Sequence, residues 1–327
     1  MRVAVIGATG NQGRGLISAL ATNPRYQNCS VTIYAISRDP NSAAAQALLN
    51  DFPAANIELR CGDVYDVNSL RAAVSGADAL FAMTHNRIVG RLIQTEDEMR
   101  HELDAGRNII EAARDNQVQH FVWSSLPNLT YASDGRFDKV FHFDHKNTIE
   151  QWARHELPAV SVLYPGLYYS NLSAPQYCRR LGDGTVRFCA PCPASKSADW
   201  VDPAVDIGNF AAEIIFRGPK TTTKTYPVVS RKITFAEMAT EFEAVTGTRA
   251  YFEPISLDEW GMLVAQVAGN GYERDIRQMI EWIAVAPEDK ICYGTMDPAQ
   301  DPSAELGGRA SSFREWLLRT GWKGPLS

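Results

Sequence analysis

A cluster of glycines near the start of the chain has the spacing that phosphate binding requires. The run Gly7-Ala8-Thr9-Gly10-Asn11-Gln12-Gly13 follows an apolar segment and precedes a helical pattern. Glycines at this spacing permit a tight turn, close approach of the backbone to a pyrophosphate and close strand–helix packing. Phosphate then binds to free N–H groups at the positive end of the helix. We expect these residues to bind a dinucleotide, namely Gly7, Thr9, Gly10, Asn11, Gln12 and Gly13. The alternative is a glycine-rich turn without a ligand.

The end of the second apolar segment bears on which dinucleotide would bind. It reads Ser37-Arg38-Asp39. An acidic residue at this point would bind the ribose hydroxyls of NAD, whereas Arg38 offers a planar donor fork to a 2′-phosphate. We therefore expect Arg38 to bind NADP(H). Asp39 argues for NAD, and an exposed arginine without a ligand is the alternative.

Further candidate cofactor residues follow the later apolar segments. We expect Asp63 to accept a hydrogen bond from the adenine amino group and Val64 to pack on the ring, although a helix-capping turn is an equal alternative. Thr84 and His85 are predicted near the nicotinamide ribose, with a surface-loop role as the alternative for His85. Tyr164 and Gly166 follow the sixth segment, at the edge where ligands bind in open sheets. Beyond them, Tyr168, Tyr169 and Trp200 are predicted to form an apolar substrate pocket, or else an aromatic core.

Alternating apolar and helical segments indicate the elements that position these residues. Strands are predicted at 2–6, 31–36, 57–61, 77–82, 120–123 and 159–164, with helices between them at 12–22, 41–51, 67–75, 97–115 and 143–156. This alternation is typical of a doubly wound parallel α/β sheet of the Rossmann type. After about residue 165 the pattern becomes mixed, with a hairpin near 182–184 and a helix over 203–217. We expect a dinucleotide-binding domain over 1–157. A smaller mixed α/β lobe is expected over 158–327, with some elements returning to the first domain.

Composition restricts the class of protein. The 327 residues carry a net charge of −6, from 32 basic and 38 acidic side chains, which argues against direct nucleic-acid binding. No apolar run reaches the roughly 18 residues that a membrane span needs. The six cysteines are mostly far apart, and Cys189-Ala190-Pro191-Cys192 alone is weak evidence for zinc. We expect no metal and, because no secretory signal is visible, a cytoplasmic location.

Six longer motifs carry a family resemblance. They are GATGNQG at 7–13, CGDVYD at 61–66, HFVWSS at 120–125, VFHFDHK at 140–146, YPGLYYSNL at 164–172 and WVDPAVDIG at 200–208. With them the chain resembles the NmrA-like family, an atypical branch of the short-chain dehydrogenase/reductase superfamily, and fungal members in particular. The resemblance implies a Rossmann core, NADP(H) binding and a smaller lobe that closes over the nicotinamide.

The same resemblance suggests catalytic residues. Ordinary members of the superfamily use a Tyr-x-x-x-Lys pair, whereas this chain has His142 where the tyrosine would stand and retains Lys146. The lysine is expected to bind the nicotinamide ribose. His142 is expected to replace the tyrosine as general acid, because imidazole titrates near neutrality; a packed histidine is the alternative. Ser125 is expected to orient the substrate, with Leu126 as the other occupant of that position.

Two functions fit these features. The first is an NADP(H)-dependent oxidoreductase that acts on a hydrophobic small molecule with a C=N, enone or carbonyl group, in secondary-metabolite biosynthesis. An iminium substrate suits a missing tyrosine, because it already carries positive charge. The second is an NADP(H)-sensing regulator that binds a transcription factor without catalysis, for which a nuclear location is also possible.

Overall fold

A parallel sheet forms the centre of the molecule. A computed structural model of the chain describes residues 1–27 and 29–326. Its strands are β1 Arg2–Ile6, β2 Thr32–Ser37, β3 Asn56–Cys61, β4 Ala79–Ala82, β5 His120–Ser124, β6 Val160–Pro165, β7 Leu167–Tyr168, β8 Cys178–Arg180, β9 Val186–Phe188, β10 Ser197–Ala198, β11 Trp200–Val201, β12 Thr225–Val228, β13 Ile233–Thr234 and β14 Ala250–Phe252. Among the described residues, the largest sheet has seven strands in the order β12-β6-β5-β4-β1-β2-β3.

Strand order creates a binding crevice at the centre of this sheet. All its neighbouring strands are parallel. The chain runs from β1 outward to β3 and then returns past β1 to β4, so the winding direction reverses between β1 and β4. Ligands of open parallel sheets bind outside the carboxyl ends of strands at such a reversal. The predicted doubly wound α/β sheet is therefore confirmed, and the predicted glycine cluster lies at its switch point.

Helices cover the sheet and build the second lobe. They are α1 Asn11–Thr22, α2 Pro24–Gln27, α3 Ala43–Asp51, α4 Val67–Val74, α5 His101–Asp115, α6 Leu129–Ala132, α7 Phe141–Glu156, α8 Asp206–Arg217, α9 Phe235–Thr246, α10 Leu257–Ala268, α11 Glu273–Val285 and α12 Phe313–Thr320. No helix in the described ranges is long and apolar enough to cross a membrane.

The chain beyond residue 157 also contributes strands and a helix to the large sheet and its covering helices. Strands β6 and β12 belong to the large sheet, and α8 packs against α1 so closely that a Cβ on Gly208 would lie 2.2 Å from the carbonyl carbon of Gly15. The predicted helix over 203–217 was wrong at its start, because α8 begins at Asp206. The Asp202 carboxylate accepts the backbone N–H of Ala204 at 2.9 Å and holds the preceding residues in a turn.

The second lobe has its own aromatic core. Strands β8 and β9 form the predicted hairpin around residues 182–184, and β14 extends it. Tyr169 and Trp200 stack at 5.8 Å between ring centroids, and Trp316 of α12 stacks on Tyr169 at 5.5 Å. The C-terminal helix therefore packs against these two aromatic rings, a contact that the sequence did not predict.

Candidate functional site

One large cavity connects the carboxyl ends of the sheet strands with the second lobe. Its volume is about 1040 Å³, enough for a dinucleotide and a second molecule. The glycine cluster forms one end, and side chains of α7, α10 and α11 form the other. The cavity therefore contains most of the residues that the sequence predicts for cofactor binding.

The glycine cluster has the geometry of a phosphate-binding turn. Gly7 has a φ of +71°, in the left-handed region that favours glycine. A Cβ on Gly13 would lie 2.3 Å from the carbonyl oxygen of Gly7, so close packing of β1 and α1 excludes any side chain there. Among the described residues no side chain caps the N-terminus of α1. Its N–H groups therefore suit a bound anion.

Two other features of this turn fit a dinucleotide. Thr9, Gly10, Asn11 and Gln12 all line the cavity. Gln12 donates from Nε2 to the Tyr168 hydroxyl at 2.6 Å, while its buried Oε1 has no partner in the described part of the chain. Such an orphaned acceptor suits a ligand that donates a hydrogen bond.

The ends of β2 and β3 line another part of the cavity, through Ser37, Arg38 and Val64. Of these, Arg38 and Val64 are the residues that the sequence predicts for cofactor binding. Asp63 lies outside the residues that line the cavity, and its carboxylate accepts the backbone N–H of Tyr65 at 3.0 Å. The structure thus shows Asp63 in the turn that the sequence offered as its alternative role.

Lys146 lines the middle of the cavity and forms an ion pair with Glu102 of α5. Glu102 is fully buried and also accepts a hydrogen bond from Thr84 Oγ1 at 2.6 Å. Burial favours a raised pKa for Glu102, but Lys146 and Thr84 outweigh it and hold that pKa below its usual value. Thr84 and His85 also line the cavity here, and the His85 ring accepts the backbone N–H of Arg87 at 2.9 Å.

His142 lies one helical turn before Lys146 and also lines the cavity. Its Nδ1 pairs with Oδ1 of Asp275, and its backbone N–H donates to Oδ2 of the same carboxylate at 2.9 Å. Asp275 belongs to α11 and is fully buried. A carboxylate of α11 therefore contacts both the ring and the backbone of a cavity-lining histidine.

Ser125 and Asn108 do not reach the cavity. Ser125 Oγ donates to the backbone carbonyl of Lys146 at 3.1 Å and joins the end of β5 to α7. Leu126, the other occupant considered for this position, lines the cavity instead. Asn108 donates to the backbone carbonyl of Val64 at 2.9 Å. The expected role of Ser125 in orienting substrate therefore has no support in this geometry.

The tyrosines after β6 have separate environments. Tyr168 lines the cavity, and burial raises its pKa to about 12, so its hydroxyl stays protonated. The Tyr164 hydroxyl lies outside the cavity lining and donates to Glu150 Oε2 on α7 at 3.1 Å. Gly166 lines the cavity, and a Cβ there would lie 2.8 Å from the backbone oxygen of Asp199.

Tyr169 and Trp200 differ from their expected role in a substrate pocket. Both are fully buried, and neither lines the cavity. The Tyr169 hydroxyl bonds to Ser230 Oγ at 2.9 Å, and its ring stacks against α12. The aromatic-core alternative is therefore the one that the structure supports, because the C-terminal helix covers these rings.

Apolar residues that the sequence did not single out form the wall opposite the glycine cluster. Together they make an uncharged surface against which a hydrophobic molecule could pack, and the set comprises Phe143, Leu167, Ala174, Tyr177, Val264, Ile276, Met279 and Tyr293. Gln176 and Asn171 add amide groups. Most of these residues come from loops and helices of the second lobe that share no motif, so no sequence signal identified them.

A buried carboxylate supports this wall from behind. Asp199 is 3% exposed, and its Oδ2 accepts the backbone N–H of Tyr293 at 3.0 Å. Burial raises the pKa of Asp199 to about 6. Its Oδ1 has no partner in the residues that the structure describes. Asp199 thereby holds the backbone of Tyr293, which lines the cavity, but burial of its charged form destabilises the fold.

No cluster of metal-ligating side chains occurs in the described ranges. Within residues 1–27 and 29–326, no three His, Cys, Asp or Glu side chains lie together in a group that could hold a metal ion. Cys189 and Cys192 are buried free thiols, and burial raises the pKa of Cys192 to about 11. Such thiols are inert packing residues.

Comparisons with known proteins agree with this architecture. The family model described as the NmrA-like family matches residues 1–305. The NmrA-like family domain-containing oxidoreductase hkm9 of Aspergillus hancockii is 28% identical over 274 residues, which cover 79% of this chain and 76% of that protein. The similarly named FrzB of a Cladobotryum species is 28% identical over 273 residues, covering 79% and 77% of the two chains.

Solved structures with the same fold include a regulator and an enzyme. NmrA, a negative transcriptional regulator crystallised with NADP, superposes with a TM-score of 0.69 at 19% identity, over 100% of this chain and 92% of that one. The NADPH-dependent quinone oxidoreductase QOR2 of Escherichia coli, crystallised with NADPH, gives 0.70 at 22% identity, over 98% and 100%. At these identities the likeness shows the fold alone.

Proposed function

The chain belongs to the NmrA-like family, and from this premise we propose that it is an NADP(H)-dependent oxidoreductase of a hydrophobic small molecule. The reacting group would be a C=N bond, an enone or a carbonyl. One observation carries the proposal: a single cavity joins the glycine turn, Lys146 and His142 to an apolar wall. A cofactor and a second, hydrophobic molecule could therefore meet beside two groups that hold or move protons.

The residues at the glycine turn fit a dinucleotide pyrophosphate. The uncapped N-terminus of α1 and the close packing of β1 on α1 at Gly13 are what a pyrophosphate requires. The orphaned Gln12 Oε1 suits a hydroxyl or amide donor elsewhere on the same dinucleotide. When bound, a nicotinamide dinucleotide supplies a hydride. The curated fungal relatives named oxidoreductases, and the structural neighbours crystallised with NAD or NADP(H), support the same class of cofactor.

Preference for NADP(H) rests on Arg38. It lines the cavity with Ser37 and Ser42, whose hydroxyls both donate to the backbone carbonyl of Asp39. The guanidinium of Arg38 is therefore the group that we propose for the 2′-phosphate. A 2′-phosphate there would receive charge-assisted hydrogen bonds, whereas the ribose hydroxyls of NAD would lack the acidic partner that they favour. Asp39 also lines this wall and is the residue that favours NAD.

Lys146 and His142 have different tasks in this proposal. Lys146, held by Glu102, presents a cation where the nicotinamide ribose would lie and orients it. His142 exchanges a proton with the substrate. The apolar wall excludes water from the reacting atoms and accepts the hydrophobic part of the substrate.

Its fungal relatives lead us to propose a biosynthetic role in secondary metabolism, in the cytoplasm. A gene neighbourhood that encodes a peptide synthetase, polyketide synthase or prenyltransferase would support this role. A gene neighbourhood with none of these would argue against it.

A non-catalytic regulator is the second candidate. Its supporting observations are the histidine in place of the superfamily tyrosine and the structural likeness to a negative transcriptional regulator. In that function the cavity would bind NADP(H), and the partner would be a transcription factor. Co-purification with a zinc-finger transcription factor would favour it.

An NADPH-oxidation screen separates the two functions. We expect calorimetry to show NADPH binding and carbonyl, enone or imine metabolites to accelerate NADPH oxidation. Binding without turnover of any compound would favour the regulator. Absence of NADP(H) and NAD(H) binding would contradict both functions.

A further inference from the structure

A buried carboxylate on α11, Asp275, contacts the imidazole of His142. Asp275 and His142 are 133 residues apart in sequence, and the packing of α11 against α7 brings them together. Both carboxylate oxygens contact His142: its backbone N–H donates to Oδ2 at 2.9 Å, and Nδ1 of its ring lies within hydrogen-bond distance of Oδ1. Asp275 is fully buried, and the His142 residue is 7% exposed.

This arrangement determines which ring nitrogen faces the ligand. An ionised carboxylate only accepts hydrogen bonds, so Nδ1 must carry its proton toward Asp275. In the neutral imidazole Nε2 is then without a proton, and in the imidazolium it carries the transferable one. Because His142 lines the cavity and Nδ1 is occupied, Nε2 is the nitrogen available to a substrate.

Tyrosines, a lysine and a second histidine among the described residues also line the cavity. Burial lowers the pKa of His85, which favours its neutral form. Burial raises the pKa of Tyr168 to about 12 and raises the pKa of Tyr272 and Tyr293 well above the usual tyrosine range. Lys146 is held by Glu102. Among the described residues of the cavity, His142 differs in that one ring nitrogen contacts a buried carboxylate and the other is left for a ligand.

We propose that Asp275 is the positioning residue for His142, and that the pair protonates a neutral carbonyl or enone rather than serving a preformed iminium. This inference rests on the proposed oxidoreductase function. An iminium accepts hydride without a proton, so a buried His–Asp pair at this position would have no task with such a substrate.

The proposed reduction transfers one hydride and one proton to the substrate. The electrophilic carbon of the substrate gains a hydride from NADPH, and the π pair of the C=O bond moves onto oxygen. An O–H bond forms as the Nε2–H bond of the imidazolium breaks. The substrate gains two electrons, NADPH is oxidised to NADP⁺, and Nε2 recovers a proton from water. For an enone the hydride adds to the β carbon and the enolate oxygen takes the proton.

A purely structural role for Asp275 is the competing explanation. Its carboxylate accepts an N–H from the first turn of α7, where Val140 provides no side-chain cap. It therefore stabilises the helix terminus regardless of chemistry. Loss of stability in a variant would not distinguish the two roles, but the tautomer of His142 would.

The decisive measurement is nitrogen-15 NMR of histidine-labelled protein, with and without NADP⁺. We expect the neutral ring of His142 to carry its proton on Nδ1. In Asp275→Asn, the amide oxygen keeps the helix N–H while its NH₂ group faces Nδ1, so the proton should move to Nε2. Asp258→Asn, at an exposed carboxylate on α10, is the matched control and should leave the tautomer unchanged. A wild-type ring with its proton on Nε2 would overturn the proposal even if the variant does not fold.

Kinetics then tests the substrate class. We use phenanthrenequinone as a neutral carbonyl probe and N-methyl-dihydroisoquinolinium as a permanently charged iminium probe. For Asp275→Asn and His142→Gln we expect kcat on the quinone to fall by about 10²–10⁴-fold with little change in KM. Turnover of the iminium should fall by less than about 10-fold. Equal losses on both probes, or a loss confined to KM, would contradict the proposal.

The two proposals fail in different ways. If NADPH binds and neither probe nor any screened metabolite is reduced, the oxidoreductase function and the proton transfer fail together. The tautomer then still decides whether Asp275 positions His142. If turnover occurs but does not depend on His142, only the inference fails.

Discussion

The two ends of the cavity are built in opposite ways. At the proposed cofactor end, Gly7–Gly13, Arg38, Val64 and Thr84 follow successive sheet strands, and most of the glycine turn acts through its backbone. At the proposed substrate end, the side chains of His142, Asp275 and Tyr293 come together from α7, α11 and the loop after α11. The first end tolerates few changes of backbone geometry, whereas the second depends on helix packing between distant segments.

Lys146 lies where the two ends meet. Its partner Glu102 is buried on α5 below the end of β4, and the lysine itself belongs to the same helix as His142. The ion pair between Lys146 and Glu102 therefore joins the strand ends of the proposed cofactor end to helix α7 of the proposed substrate end. Four variants test this difference between the two ends.

The largest effect is expected at the glycine turn. In Gly13→Ala the new Cβ would meet the backbone oxygen of Gly7 at 2.3 Å, and backbone cannot move aside as a side chain does. We expect NADPH affinity to fall by at least about 100-fold, together with about 1–3 kcal/mol of overpacking cost. Calorimetric titration and urea unfolding measure the two quantities. Gly182→Ala, which faces open space, is the control and should change neither.

Removal of the Lys146 charge tests how much the ion pair with Glu102, between the two ends of the cavity, contributes to stability. In Lys146→Met the fully buried Glu102 would lose its counter-charge, and breaking such a pair costs about 3–5 kcal/mol. We expect urea unfolding to show a loss of this size. The double variant Lys146→Met/Glu102→Gln should recover most of it, because no buried charge remains. Arg309→Met, which breaks an exposed pair, should have a much smaller effect. If the single and double variants were equally unstable, the electrostatic explanation would fail.

Asp199 provides a pH-dependent test of the substrate end. Burial raises its pKa to about 6, above that of an unfolded aspartate near 3.9. The buried charge therefore destabilises the fold above about pH 6, and this penalty disappears as the pH falls toward about 4.

Asp199→Asn should consequently be more stable than wild type near neutral pH, by up to about 3 kcal/mol, because an amide oxygen still accepts the Tyr293 N–H. Chemical unfolding at a series of pH values measures the difference, which should shrink to near zero at about pH 4. The exposed Asp289→Asn serves as control and should show no such trend. A difference independent of pH would falsify the assignment.

The smallest effect is expected at Arg38. Charge-assisted hydrogen bonds to a phosphate contribute about 1.5–3 kcal/mol, so Arg38→Ala should weaken NADP⁺ binding by roughly 10- to 150-fold. NAD⁺ lacks the phosphate and should lose less than about 3-fold. Fluorescence titration with both dinucleotides gives the comparison within one protein. Equal losses would remove Arg38 from the 2′-phosphate site.

The same contrast explains which features the sequence alone could predict. The strand–glycine–helix order and the apolar runs predicted the parallel sheet, and the cavity contains the predicted glycine turn. Asp66, directly before the helix predicted over 67–75, caps α4 by accepting the N–H groups of Asn68 and Ser69. These features depend on neighbours within a few residues, or on a periodicity that every buried parallel strand must have.

Predictions for the aromatic residues depended on distant segments. Tyr169 and Trp200 have the composition of a ligand pocket, yet α12, more than 100 residues later in the chain, covers them. Ser125 follows the expected strand but donates to the α7 backbone. Side-chain direction at a strand end depends on which helix packs there, and no local spacing encodes that choice.

The sequence by itself determined the family, the parallel sheet and the glycine turn between β1 and α1. A turn, a strand and a helix N-terminus are local structures, and their residue requirements are strict. Tertiary structure alone decided that Glu102 would pair with Lys146 and Asp275 with His142. An acidic residue on an amphipathic helix is usually solvated, and these two resemble the other acidic residues of α5 and α11. Their roles arise from the packing that excludes water and brings each carboxylate against a nitrogen-bearing side chain of α7.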